Sequence, residues 1–199
     1  ALPYVALVIN AINRLNKYPN VNITFFSGNT DEIEQMLYLN EIDVAIITAK
    51  EMDQNPNIYT AKYYGFNNRL YANNDSRLFE NDNLSFADLK DKKFICSNYS
   101  VLHNTLTKLL EKHNIIPNIY FKSNEVASSF FLEFDDDTVV ILPEFVAPYY
   151  KTLKPLPLDT AAFDAKALVA IKKGRKFPKK EKMLLDEYVK ELDKLFGSK

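Results

Sequence analysis

The chain has 199 residues, 47% of them hydrophobic and 26% charged, a mix that folds around a core without disulfide staples. The 25 basic side chains nearly cancel the 26 acidic ones, leaving a formal charge of −1, which argues against a surface that grips a nucleic-acid backbone. The single Cys96 excludes an intramolecular disulfide and suits a cytosolic setting. Gly28, Gly65, Gly174 and Gly197 are too far apart for a phosphate-cradling loop, and His103 and His113 with one cysteine make no zinc motif. There is no metalloprotease or serine-hydrolase signature, no apolar run long enough to span a membrane, and nothing like a signal peptide at the start.

In chain order, Tyr4, Leu7, Val8, Ala11, Ile12 and Leu15 recur at helical spacing, and Tyr18-Pro19-Asn20 ends that helix because a residue before proline avoids helical angles. Val21 to Phe26 alternates in the manner of a strand. Ser27-Gly28-Asn29-Thr30 is a turn, and Asn29 with Glu32 has the spacing of a capping box, so a helix with Ile33, Met36 and Leu37 on one face starts there and ends at Asn40. Ile42 to Thr48 is nearly all apolar, the pattern of a parallel strand covered on both faces. Ile58 to Asn73 reads as a long, tyrosine-rich strand. Ser85 to Leu89 reads as a helical turn, Phe94 to Cys96 as a brief strand and Ser97 to Ser100 as a loop, followed by a helix carrying Leu102, Leu106, Leu109 and Leu110. Asn118 to Lys122 is a strand. Ser123 or Asn124 caps a helix with Val126, Ala127, Phe130, Phe131 and Phe134, and Asp135 to Asp137 is a turn. Thr138 to Leu142 is a strand whose Pro143 is placed to open a helix, and Lys166 to Lys172 is a strand. Pro178 opens an amphipathic terminal helix with Leu184, Leu185, Tyr188, Val189, Leu192, Leu195 and Phe196. Helices and strands alternating with short connections predict an α/β layer structure, in which loops at the carboxyl ends of strands form the binding crevice.

Several stretches, taken together and in order, resemble a known family. Tyr18-Pro19-Asn20-Val21-Asn22-Ile23, then Gly28-Asn29, then Glu41-Ile42-Asp43-Val44-Ala45-Ile46 resemble the opening of the effector-binding domain of LysR-type transcriptional regulators. Leu84 to Leu89 with Phe94-Ile95, Val140-Ile141-Leu142-Pro143, and Ile171-Lys172-Lys173-Gly174-Arg175 resemble its later motifs. The resemblance implies a two-lobed type II periplasmic-binding-protein-like fold, each lobe a mostly parallel sheet flanked by helices. Carried over, lobe I is residues 1–70 and 165–199, lobe II is 71–164, the crossovers lie near Tyr64–Tyr71 and Asp159–Lys166, and a ligand cleft lies between the lobes. It further implies a cytoplasmic homodimer that binds an unknown small-molecule effector and meets DNA only through a helix-turn-helix domain absent from this chain. No cofactor, metal, membrane or catalysis is implied.

The sequence departs from that family in three places. It lacks the DNA-binding part. It begins at the first helix, without the strand that precedes it in the family, so a central position of lobe I needs another source of backbone partners. Asp135-Asp136-Asp137-Thr138 replaces a glycine-rich turn, so contacts made there in the family do not transfer.

A cleft that meets helix N-termini holds a polar or anionic metabolite through unpaired N–H groups. The loops in question carry Ser27, Asn29 and Thr30; Thr48; Ser97, Asn98, Tyr99 and Ser100; and Ser123 with Asn124. Each of these residues, alone, reads first as a helix cap; as a set in the family's positions, a few of them are expected to touch ligand. Lys50 suits a carboxylate or plain solvation, and Tyr99 suits a ligand ring or simple packing. His103 reads as a partly exposed helix residue, Cys96 as a buried inert thiol, Asp135 to Asp137 as a solvated turn, and the phenylalanines 130, 131 and 134 as core. The leading expectation is a regulator's sensing domain. The alternatives are a transporter's solute-binding protein with the same fold and a two-lobed enzyme domain of the prephenate-dehydratase kind, for which no acid–base constellation is visible.

Overall fold

The computed structural model describes residues 9–14, 22–49, 57–97, 100–123 and 134–197. The chain divides into two compact units, one of residues 1–65 and 166–199 and one of residues 66–165.

The first unit is built on a three-stranded sheet, order β1-β8-β2, from Ala45–Ala49 (β1), Ile58–Phe66 (β2) and Ala165–Lys172 (β8). Alternate residues of β1 face opposite cores. Ala45 and Ile47 pack with Leu168, Ala170 and Leu37 of α2 (Thr30–Leu39). On the other face Val44 and Ile46 pack with Val169, Tyr64, the buried Ala11 of α1 (residues 9–14), and Tyr188 and Leu192 of α4 (Lys179–Phe196). Helices therefore cover both faces of the sheet, which is why β1 shows no alternation of polar and apolar residues.

Two expectations about this unit fail. The apolar run of β1 suggested a parallel strand, yet β1 pairs antiparallel with β8, Ala45 opposite Ala170 and Ala49 opposite Lys166. Burial on both faces produces the same sequence pattern in either orientation, so the pattern carries no information about direction. Second, residues 22–29 are not a strand despite their alternation; Phe25 and Phe26 are about half exposed. Alternation makes a strand only where a neighbouring backbone supplies hydrogen bonds, and among the described residues none pairs with this segment.

The second unit carries a five-stranded sheet, order β5-β4-β6-β3-β7. Its strands are Asn68–Asn73 (β3), Lys93–Ser97 (β4), Asn118–Ser123 (β5), Thr138–Pro143 (β6) and Leu153–Pro155 (β7). The β4–β5 and β4–β6 pairings are parallel, while β3 runs antiparallel to both β6 and β7. The mixed α/β class stands, but "mostly parallel" overstates it: this sheet is half parallel. On one face Phe94, Cys96, Val139, Leu70 and Ala72 pack under Leu106 and Leu110 of α3 (Ser100–Glu111). On the other, Ile95, Val140, Leu142 and Tyr71 meet Val146, Tyr150 and Phe134.

The long tyrosine-rich strand predicted from Ile58 to Asn73 is two strands, β2 and β3, interrupted at Asn67. Pro143 closes β6 rather than opening a helix; a turn follows, then a single 3-10 turn at Ala147–Tyr149. The strand β7 has too few residues to leave a periodic signal. The helix expected after Asn124 lies outside the described residues. The capping box at Asn29 and the helix end at Asn40, in left-handed conformation at φ 60°, are both present.

Candidate functional site

In the first unit the predicted residues gather at one end. Lys172 at the close of β8 donates to the Tyr38 carbonyl near the end of α2 at 2.7 Å, and β8 is antiparallel to β1. The N-terminus of α2 therefore lies at the carboxyl end of β1, where Thr48 sits opposite Ala167. Asn29 caps α2: its Oδ1 accepts from the Glu32 N–H at 2.9 Å, and the Asn29 N–H donates to Glu32 Oε2 at 2.9 Å. Gly28 makes room for this arrangement, because a Cβ there would come within 2.7 Å of Glu32 Oε2. Ser27 and Asn29 are exposed, and Gly28 and Thr30 half-buried. Asp31 and Glu32 occupy the first turn. Their charges already satisfy the positive end of the helix dipole, so this terminus offers hydrogen bonds but little attraction for an anion.

The second unit presents a different electrostatic face. The parallel pair β4 and β5 ends with Ser97 opposite Ser123, so two predicted positions from distant parts of the sequence are neighbours in the ladder. Ser100 opens α3, whose first turn holds no acidic residue, so no carboxylate of that turn offsets its dipole end. Asn98, Tyr99, Asn124 and Lys50 lie outside the described residues.

Two features of this unit escaped the sequence. The turn from β4 into α3 brings the His103 Nδ1 to 3.7 Å from the buried Cys96 Sγ. These residues are seven apart, a spacing with no helical or strand meaning until the strand-to-helix reversal is known. The other feature is a polar cluster around Arg69. Arg69 Nε donates to Glu144 Oε1, and Asn67 Nδ2 donates to Glu144 Oε2 at 3.3 Å. The Glu144 N–H in turn donates to the Asn67 carbonyl at 3.0 Å. The hydrogen bond from Arg69 to Glu144, opposed by partial burial, raises the guanidinium's pKa further, and Glu144, Tyr71 and Asp164 add favourable charge effects. Nothing in the local sequence marks Arg69; the only available signal was the polar Asn67-Asn68-Arg69 break in an otherwise aromatic strand.

Among the described residues no group of three or more His, Cys, Asp or Glu could hold a metal ion, and no helix is long and apolar enough to cross a membrane.

Comparison with known proteins gives these features a context. Residues 4–193 match the model of the LysR substrate binding domain. No curated protein matches the sequence. Among solved structures, the effector binding domain of QuiR in complex with shikimate is similar at a TM-score of 0.69 and 20% identity, covering 96% of this chain and 91% of that one. The Synechocystis PCC6803 CcmR regulatory domain in complex with 2-PG is similar at a TM-score of 0.71 and 17% identity, with coverage of 96% and 91%. The substrate binding protein of an amino acid ABC transporter is similar at a TM-score of 0.57 and 19% identity, with coverage of 96% and 88%. At such identities the neighbours establish a type II periplasmic-binding-protein-like fold, and the family model establishes kinship. The chain belongs to the LysR substrate binding domain family, the small-molecule effector-sensing domains of LysR-type transcriptional regulators.

Proposed function

We propose that the effector of this sensing domain binds in a cleft between the two units, which the sequence reads as lobe I (residues 1–70 and 165–199) and lobe II (71–164) and the structure divides a few residues earlier, at 65/66, and at 165/166, so that all of β3 belongs to the second unit. A few of Ser27, Asn29, Thr30 and Thr48 contact it from one lobe, and a few of Ser97, Asn98, Tyr99, Ser100, Ser123 and Asn124 from the other. The observation that supports this most is the meeting of Ser97 and Ser123 at the carboxyl ends of two parallel strands, beside the start of α3. Carboxyl ends of parallel strands are where α/β sheets place ligands, because the helices that follow present their unpaired N–H groups there. Shikimate and 2-PG in two structural neighbours favour a small metabolite as the effector class.

The ligand regulates by binding one arrangement of lobes and subunits better than another, since only differential affinity shifts a conformational equilibrium. The chain acts as a homodimer in the cytoplasm, without enzymatic turnover, and reaches promoter DNA through a helix-turn-helix domain outside the sequence described. A transporter's solute-binding protein shares the fold, but the match over residues 4–193 favours the regulator.

Native mass spectrometry of gently purified protein identifies a bound metabolite, and Ser100→Phe then tests its place. The substituted protein is expected to fold, with an unchanged circular dichroism spectrum, and to lose that metabolite. Retention of it at unchanged affinity would place the ligand elsewhere.

A further inference from the structure

The second unit contains a charged group whose placement names a ligand chemistry. We infer that Arg69 is the anion-recognition residue of the proposed effector site: the terminal Nη groups of its guanidinium take a carboxylate or equivalent oxyanion of the effector, while Glu144 holds the group in orientation. This rests on the proposed location of the effector site.

The placement follows from strand register. Ile95 of β4 is level with Val140 of β6, which is level with Tyr71 of β3. The β4–β6 ladder ends at that pair; two residues further along β6, Leu142 is the ladder partner of Arg69, and two residues further along β4 lies Ser97. Ser97 is in turn opposite Ser123 of β5. The carboxyl ends of β4, β5 and β6 thus bring Ser97, Ser123 and Leu142 to the same end of the sheet as Arg69 at the start of β3. Adjacent strands are about 4.8 Å apart, so the backbone of β3 is about 10 Å from that of β4, and the Leu142 side chain between them is buried with Val146 and Tyr150.

The state of the guanidinium fits such a role. Its one hydrogen bond to a described residue runs through Nε, to Glu144 Oε1, and no described residue accepts from either Nη group. The side chain is 40% exposed. Glu144 is itself fixed by Asn67, through its carboxylate and its backbone N–H. The guanidinium plane is therefore set from one side, and the Nη pair is left as a fork that matches the two oxygens of a carboxylate. Unit by unit, the charges agree: the α2 terminus is already countered by Asp31 and Glu32, whereas α3 opens without an acidic residue.

The test uses benzoate, succinate and inorganic phosphate as anionic probes and benzamide as the neutral counterpart of benzoate. Binding is followed by the side-chain ¹⁵Nε resonance of Arg69 and by calorimetry. At least one anion is expected to bind at millimolar concentration and to shift that resonance, with benzamide silent. Arg69→Gln is expected to weaken the anion at least tenfold. Glu144→Gln keeps an oxygen acceptor for Nε but removes the competing negative charge, so affinity should hold or rise severalfold. That opposition of sign separates recognition from structural support, because a merely structural pair would suffer in the same direction from either change. The inference is overturned if no anion reaches Arg69, if benzamide binds as well as benzoate, if Arg69→Gln leaves anion affinity unchanged, or if Glu144→Gln weakens it as much as Arg69→Gln does. A neutral co-purified metabolite that is lost in Ser100→Phe but kept in Arg69→Gln would leave the sensing site standing and remove this inference alone.

Discussion

Asn29 carries two roles, a helix cap seen in the structure and a ligand contact that we propose, and two substitutions separate them. Asn29→Ala removes Oδ1, the acceptor of the Glu32 N–H at 2.9 Å, and with it one arm of the reciprocal box. The side chain is exposed, so no packing is lost and the expected cost is that of a cap alone, about 1 kcal/mol. For a chain of this length that lowers the melting temperature by about 2–4 °C. Asn29→Ser keeps an oxygen at the cap, so stability should stay within about 0.5 kcal/mol of the parent. It removes Nδ2, however, and a lost neutral hydrogen bond of about 0.5–1.5 kcal/mol weakens binding by about 2- to 13-fold. Thermal melts followed by circular dichroism read the first effect, and calorimetric titration with the co-purified metabolite reads the second. An Asn29→Ala melt that matches the parent refutes the cap reasoning. Unchanged metabolite affinity in Asn29→Ser refutes the ligand contact.

Phe94 is 1% exposed and sits in the largest cluster of the second unit with Leu106, Leu110 and Val139, so Phe94→Ala should cost about 3–5 kcal/mol. A lowered urea midpoint with an unchanged slope checks this, and a loss under 1 kcal/mol would mean the cluster is not packed as described. In the first unit, burial raises the Tyr64 phenol's pKa, and the hydrogen bond its hydroxyl donates to Asp193 at 2.8 Å, with that carboxylate's charge, raises it further. A phenol whose pKa is higher folded than unfolded contributes stability that is complete below the ordinary tyrosine value of about 10 and is lost as pH rises beyond it. Alkaline unfolding, followed by absorbance and circular dichroism together, should therefore begin above that value and shift upward in Tyr64→Phe. An alkaline midpoint unmoved by Tyr64→Phe would refute the coupling.

How much was legible can be seen element by element. The α2 cap was readable because a capping box is a contact between residues three apart, and three-residue spacing is visible in any sequence. The stripes of α3 and α4 were readable because helical period follows from one buried face. The direction of β1 was not readable, since both faces of its sheet are covered and a buried strand looks alike in either orientation. The failure of residues 22–29 to form a strand depends on a missing partner rather than on their own side chains. Arg69 carries no local mark for a related reason. Its partner Glu144 is 75 residues away, and only the antiparallel pairing of β3 with β6 makes the two neighbours.

Local and periodic features follow from neighbouring residues alone: the α/β class, the α2 cap and the helix stripes, the ordered motifs of the LysR family and the Ser- and Asn-rich loops where a metabolite is expected. Tertiary structure decided what depends on register. Hydrogen bonding between strands put Ser97 beside Ser123 and Arg69 beside Leu142, and these neighbours come from backbone pairing across 26 residues or more, which no short window of sequence contains.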